Sequence, residues 1–339
     1  MLVDLRSDTI TRPTEAMRQA MLAAPVGDDV FGEDPSVAEL EAEVADLFGH
    51  EAGLFCASGS LANVLGVATQ VSPGQEVLCD ARAHIARAEM GAHGALTGVT
   101  MRTWVTPDGL TRPDDVADLV VADGGPYLVS TACVAVENTH NFGGGTIQPL
   151  EVLAEVSRRV RSVGVGLHLD GARLWNAQVE TKVPMVDYGR LFDTVSVCFS
   201  KGLGAPVGSV LVGSADAVRR ARILRKRLGA GWRQAGLLAA ACSYALHHHV
   251  ERLAEDHVAA RAFADALGSR LGEELTPPQT NIVVVDTGGR PAAAVAAEAA
   301  ATGVLLTPVG PHTLRAVTHL EVDVAGAAHA GAVLGEILG

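Results

Sequence analysis

No apolar run in this chain approaches the ~18 residues that a bilayer-spanning helix needs, so no membrane partner is expected. The first twenty residues, MLVDLRSDTITRPTEAMRQA, are interrupted by Asp4, Arg6, Asp8 and Arg12, and no signal-peptide core is read there. Basic charge is scarce. Lys and Arg number 26 against 39 Asp and Glu, a net charge of -13. With no basic stripe or tail, nucleic acid and anionic membrane are poor partners, and the acidity is read as a solubility property. The five cysteines, at 56, 79, 133, 198 and 242, form no CxxC. A dispersed, odd set in a long chain predicts reduced core thiols and a cytoplasmic location, with Cys198 buried. Repeats, low-complexity linkers and long charge blocks are also missing.

What is present is a chain of 339 residues, 48% hydrophobic, enough for a large core and roughly two domains. The segment SVAELEAEVADLF (36–48) has helical spacing behind a Pro-Ser start. EVLC (76–79), YLVSTACVAVEN (127–138), GLHLD (166–170), TVSVCFS (194–200) and GSVLVG (208–213) read as buried strands. VLAEVSRRV (152–160) and DAVRRARILRKRL (216–228) read as amphipathic helices between them. This alternation predicts an α/β fold with a mostly parallel sheet flanked by helices. A long apolar helix is expected near 233–253. A smaller helix–strand set then suggests an N-terminal arm and large domain over 1–253 and a C-terminal α+β domain over 254–339. The polar arm RSDTITRP must dock on something to be ordered.

In DTVSVCFSKGLGAPVGSVLVG (193–213) a β-branched run ends at Ser200-Lys201 and glycine takes over. A desolvated lysine is a good amine nucleophile of the kind Schiff-base chemistry uses. Taken alone, Lys201 reads first as a lysine whose head reaches solvent. CASGSLAN (56–63) is a small-residue turn opening an apolar helix, with amides and a Ser60 hydroxyl suited to a phosphate; an ordinary Ser-Gly cap looks the same. HLDGAR (168–173) sets Asp170 at a strand end, where a buried carboxylate needs a cation, either a protonated ring nitrogen or Arg173. DARAHIARAE (80–89) places His84 after a strand, as a ring to stack on a flat cofactor or as a capping or surface histidine. Phosphate turn, stacking ring, strand-end Asp and strand-end Lys, in that order, are the parts a pyridoxal 5'-phosphate (PLP) enzyme of the aspartate-aminotransferase-like fold needs.

The chain then resembles the PLP-dependent threonine aldolases of the low-specificity L-type, almost end to end. The motifs are LRSDTITRP (5–13), VGDDVFGEDP (26–35), ASGSLAN (57–63), VENTHNFGGGTIQPL (136–150), HLDGARLWNA (168–177), SVCFSKGLGAPVGSVLVG (196–213), GAGWRQAG (229–236) and LRAVTH (314–319). The resemblance implies fold type I and cleavage of L-threonine or L-allo-threonine to glycine and an aldehyde. It implies Lys201 as the PLP lysine, Asp170 as the pyridine-nitrogen partner, His84 as the stacking ring, and Gly59 and Ser60 as phosphate ligands. Arg173, Arg315 and Ser7 would bind the substrate carboxylate, and His140 would lie near the β-hydroxyl. Arg233 would reach a neighbouring subunit's phosphate, in a homotetramer built from dimers with shared sites. Two positions depart from the family pattern: SGS stands where SGT is commoner, and Trp232 is expected to reshape the entrance or a subunit contact.

The chemistry must break Cα–Cβ. A bidentate arginine on the carboxylate sets the angle, with Arg173 and Arg315 as candidates. A base must take the β-hydroxyl proton, with His84, His140 and then Glu89 as candidates. Other PLP reactions on the same scaffold, namely β-elimination, transamination and racemisation, and a non-catalytic PLP-binding protein are the competing readings. The HHH tract (247–249) is read as a solvated helix face, GDDVFGEDP as a loop with a helix cap, and GGG (143–145) as a flexible loop. No metal site is expected.

Overall fold

The computed structural model describes residues 2–272 and 275–339. Its centre is a seven-stranded sheet in the spatial order Ala52–Cys56, Ser209–Gly213, Thr194–Cys198, Gly166–Gly171, Thr131–Glu137, Glu76–Asp80, Thr100–Trp104. Ser209–Gly213 runs antiparallel to both neighbours, and the remaining pairs are parallel. The α/β expectation therefore holds. The middle strands are buried on both faces, which is why they read as continuous apolar runs without alternation.

Register lines up the strand ends. Glu137 pairs with Asp170, and Asp170 with Ser196. The parallel strands thus finish together, near Asp80, Glu137, Gly171 and Cys198. An open α/β sheet binds its ligand in the crevice outside these carboxyl ends.

A second, three-stranded antiparallel sheet orders Thr307–Gly310, Thr313–Val317 and Ile282–Asp286. With the helices Leu253–Leu271, Ala292–Ala301 and Val324–Leu338 it encloses its own core around Phe263, Leu267 and Leu334. Val3 and Leu5 belong to this core, because Val3–Asp4 pairs in parallel with Val304–Leu305. The arm RSDTITRP follows this strand and carries a short 3-10 turn at Asp8–Ile10. It then crosses to the large sheet, where the Thr11 hydroxyl donates to the Lys201 carbonyl at 2.8 Å.

Several expected boundaries move. The strand predicted from residue 127 begins at Thr131, because Gly124-Gly125-Pro126 turns the chain and leaves Tyr127 92% exposed. The helix predicted over 233–253 is Gly236–His248. In the HHH tract, His247 is half exposed and meets Glu43, but His249 is buried. Asp34 caps the helix Pro35–Phe48, as the loop reading of GDDVFGEDP requires. All five cysteines are buried and free. Among the described residues, no helix is long and apolar enough to cross a membrane.

Candidate active site

Lys201 sits three residues past the strand Thr194–Cys198 and is fixed by its backbone. Phe199, two residues before it, is fully buried. Trp175 Nε1 donates to the Cys198 carbonyl at 3.0 Å, and the His249 ring donates from Nδ1 to the Leu203 carbonyl at 2.7 Å. The chain then returns through Gly204 and Gly208, both at positive φ. A Cβ at Gly208 would fall 2.5 Å from Cys242 Sγ, so the tight return demands glycine. The Lys201 amine lies 3.6 Å from Cys198 Sγ, and its side chain borders two adjoining cavities.

The first cavity, about 200 Å³, is lined by Gly59, Ser60, Asn63, His84, Asp170 and Lys201, among others. Gly59 and Ser60 open the helix Gly59–Ala68, with Ser58 as its cap. Their two amides take no partner among the described residues, and together with the helix dipole they form an anion cradle. A Cβ at Gly59 would stand 2.7 Å from Cys198 Sγ. Gly59→Val should therefore overpack the cradle and weaken binding of a phosphorylated cofactor about tenfold or more, measured by cofactor titration of the apoprotein. Unchanged affinity would remove the cradle assignment.

Asp170 is 2% exposed and its carboxylate meets no side-chain cation within ion-pair distance among the described residues. It accepts from Asn63 Nδ2 at 2.8 Å and from the Ala172 amide at 3.1 Å. Burial, then repulsion from Glu137, pushes its carboxyl above the usual range. The ion pair with Arg173, left open from the sequence, is not made: Arg173 is committed to Asp8. A cationic ring nitrogen in the cavity would supply what Asp170 lacks. The residues present therefore fit PLP: an anion cradle, an unpaired buried carboxylate and a lysine around one small cavity.

Asn63 organises this floor. Its Oδ1 accepts from Ser196 Oγ at 2.5 Å and His168 Nε2 at 3.0 Å, which turns its amino group toward carboxylates. Its Nδ2 donates to Asp170 and, at 2.8 Å, to Glu89. His168, fully buried and held at a pKa of about 4 by desolvation, stays neutral in this role.

His84 borders both cavities. Its amide donates to Glu137 at 2.7 Å and its Nδ1 lies 2.9 Å from Glu89 Oε1. Burial alone would lower the His84 pKa, but the Glu89 hydrogen bond and the Asp170 charge raise it overall. Burial opposes the Glu89 charge, but hydrogen bonds from His84, His93 and Asn63 hold its carboxyl down at about 2. Glu89 is thus an anion at working pH. His84 Nδ1 carries the proton toward it, and Nε2 keeps its lone pair.

The second cavity, about 430 Å³, includes Ser7, His84, Phe142, Arg173, Lys201 and Arg315 in its lining. Arg173 makes a two-pronged pair with Asp8, at 2.8 and 2.7 Å. Arg315 reaches Asn141 Oδ1 at 2.7 Å, and its buried Nε has no partner among the described residues. Burial, then the neighbouring Arg173, lowers the Arg315 pKa to about 10. Two guanidiniums against one paired carboxylate leave this cavity ready for an anion. Asp8 is fully buried, and Arg173 with its salt bridge holds it down to a pKa of about 2 against desolvation. Asp8→Ala would strand a buried guanidinium and should cost about 3–5 kcal/mol of stability in urea unfolding. A loss under ~1 kcal/mol would mean that Arg173 finds another anion.

Of the sequence-predicted residues, the structure brings together Lys201, Asp170, His84, Gly59, Ser60, Ser7, Arg173 and Arg315. His140 lies outside both linings. It is 1% exposed, accepts at Nδ1 from the Gly143 amide at 3.0 Å, and has Nε2 3.3 Å from Asp80. Arg233 is exposed and pairs with Asp28 at 3.0 Å, away from its own chain's cavities. Trp232 stacks on Phe55, with centroids 5.6 Å apart. The GGG loop is anchored: Gly145 abuts Thr280 and Ile282. Asp8, Asn63 and Asn141 were not singled out from the sequence. Each lies inside a quoted motif, but nothing in local periodicity separates it from its neighbours.

A family model described as "Beta-eliminating lyase" matches residues 4–288. A probable low-specificity L-threonine aldolase 2 of Arabidopsis thaliana is 40% identical over 95% of this chain and 93% of its own. The low specificity L-threonine aldolase of Escherichia coli K12 is 38% identical, covering 95% of each chain. In fold, a threonine aldolase of Leishmania major superposes with a TM-score of 0.83 at 21% identity over 99% of both chains. With this likeness running nearly end to end and the motif residues gathered around two adjoining cavities, the chain belongs to the threonine aldolases of the β-eliminating lyase family.

Proposed function

We propose that the protein cleaves L-threonine, L-allo-threonine and related β-hydroxy-α-amino acids to glycine and an aldehyde, with PLP as cofactor. The observation that carries this reading is the pair of adjoining cavities sharing Lys201 and His84. One has the anion cradle and Asp170, and the other has Arg173 and Arg315. When bound, PLP supplies an electron sink for the bond broken at Cα.

Each residue then has a defined task. Lys201 would hold the cofactor through its amine, which borders both cavities. Asp170 keeps the ring nitrogen protonated, and Gly59 and Ser60 hold the phosphate. Arg315, helped by Ser7, grips the substrate carboxylate, while Asp8 holds Arg173 beside it. This grip sets which bond at Cα stands perpendicular to the ring. The His84 ring would lie against the cofactor ring, and its Nε2 takes the β-hydroxyl proton of the substrate. Return of a proton to Cα completes glycine. His140, behind the site, supports the 140–146 loop and so the placement of Asn141. Arg233 serves the phosphate of a neighbouring subunit, in a homo-oligomer that we take to be a tetramer. The reaction places the protein in threonine breakdown and glycine supply.

The test is aldehyde release from L-threonine and L-allo-threonine, each given separately to the PLP-supplemented protein across a pH series. Acetaldehyde from either supports the reading, and their ratio gives the Cβ preference. No aldehyde from both, with PLP bound, moves the assignment to another PLP reaction. The pH series has a defined sign. The active His84 is deprotonated and its pKa is raised, so the rate should rise with pH through a midpoint above the ordinary ~6.5. A midpoint at or below that value would take the base role from His84.

A further inference from the structure

The mechanism uses His84 and Glu89 but leaves a third group in the same line unassigned. His93, on the helix Ala92–Thr97, is 1% exposed and its Nε2 lies 3.0 Å from Glu89 Oε2. Its Nδ1 is buried with no hydrogen-bond partner among the described residues. The arrangement runs from the cavity inward: His84 Nδ1, the Glu89 carboxylate, His93 Nε2, with Asn63 donating to Glu89 from the side.

The tautomers follow from hydrogen-bond accounting. Glu89 is an anion and only accepts, so each imidazole presents an N–H to it. A second proton on His93 would sit on Nδ1, buried with no acceptor, which is costly. His93 therefore acts as a dipolar donor from Nε2. Each donor on a carboxylate draws off part of the charge that the others feel. We propose that His93 is a positioning residue that shares the Glu89 carboxylate with His84 and thereby sets the basicity of His84 Nε2. This rests on the reading of His84 as the base.

The sign is fixed by the charge. Without the His93 donor, the carboxylate bears more fully on His84 and favours the imidazolium. The ascending limb of the pH–rate profile should then move up. The other groups facing this pair are Asp170 and Lys201 at the sheet edge, Glu137 at the His84 amide, and His168, Asn63 and Cys79 behind Glu89. All are left in place by a change at His93.

The experiment compares holoenzyme variants His93→Leu and His93→Met, which remove the donor, with His93→Gln, which keeps an N–H at similar reach. The readouts are the pH profile of kcat/KM and the NMR titration of the His84 ring. In Leu and Met, both midpoints should rise by about half a unit to one unit, and Gln should restore the unaltered values. Midpoints that stay put in Leu and Met, or move equally in Gln, overturn the proposal. If neither apolar variant folds, the unaltered holoenzyme decides. Histidine 15N shifts should show the His93 proton on Nε2 facing Glu89, and a His93 that carries its proton on Nδ1 instead overturns the assignment. Should the protein release no aldehyde, the His84 titration still reads the coupling, so the two failures are distinguishable.

Discussion

Lys201→Ala should remove the visible cofactor band and take aldehyde release below detection. Among the described residues this is the one lysine bordering the two cavities, and the residues around it are held by buried contacts rather than by the side chain itself. The variant should therefore fold, keep Asp170, His84 and the cradle in place, and still bind PLP without a covalent bond. Loss of the band together with a retained melting temperature would separate a missing nucleophile from a damaged fold. Turnover by the folded variant would refute the lysine assignment.

Asp170→Asn is the second large effect. The shape barely changes, but the negative charge goes. Both present partners, the Asn63 amino group and the Ala172 amide, are donors. An asparagine can offer its oxygen to only one of them. More importantly, an amide does not hold a pyridine nitrogen protonated, so the charge that develops at Cα has nowhere to go. By analogy with the loss of one preorganised electrostatic partner, kcat should fall about 100- to 1000-fold. The covalent link to Lys201 and the band should persist. A kcat within about tenfold of the unaltered protein would mean that Asp170 serves packing and not the ring.

The sequence carried the parallel strands well because their burial on both faces writes an apolar run into the chain. It concealed Thr100–Trp104, an edge strand whose Thr100, Arg102 and Thr103 are exposed, so that no run marks it. Lys201, Asp170, His84 and the Gly59 turn were legible for a local reason. Each stands at a strand end or a helix start, and the chemistry of each type at such a place is narrow. The family motifs extended this to Arg173, Arg315 and Ser7.

The partners were not legible. From the sequence, Arg173, three residues away, was the alternative partner for Asp170; in the structure it pairs with Asp8, 165 positions distant. Asn63 links Asp170 to Glu89 because sheet register and one helix turn bring three separate segments together. Arg315 arrives from the small antiparallel sheet and meets Arg173 over Asn141. His140 was a candidate base by type, yet tertiary packing closes its ring between Gly143 and Asp80. By itself, then, the sequence determined the fold class and marked the strand-end lysine and the turn that line the cavity, since strand ends, turns and motifs are local. Only the tertiary structure decided which carboxylate stays unpaired, which arginine stays open and which histidine faces the cavity. Those depend on through-space hydrogen bonds and desolvation among segments that are far apart along the chain.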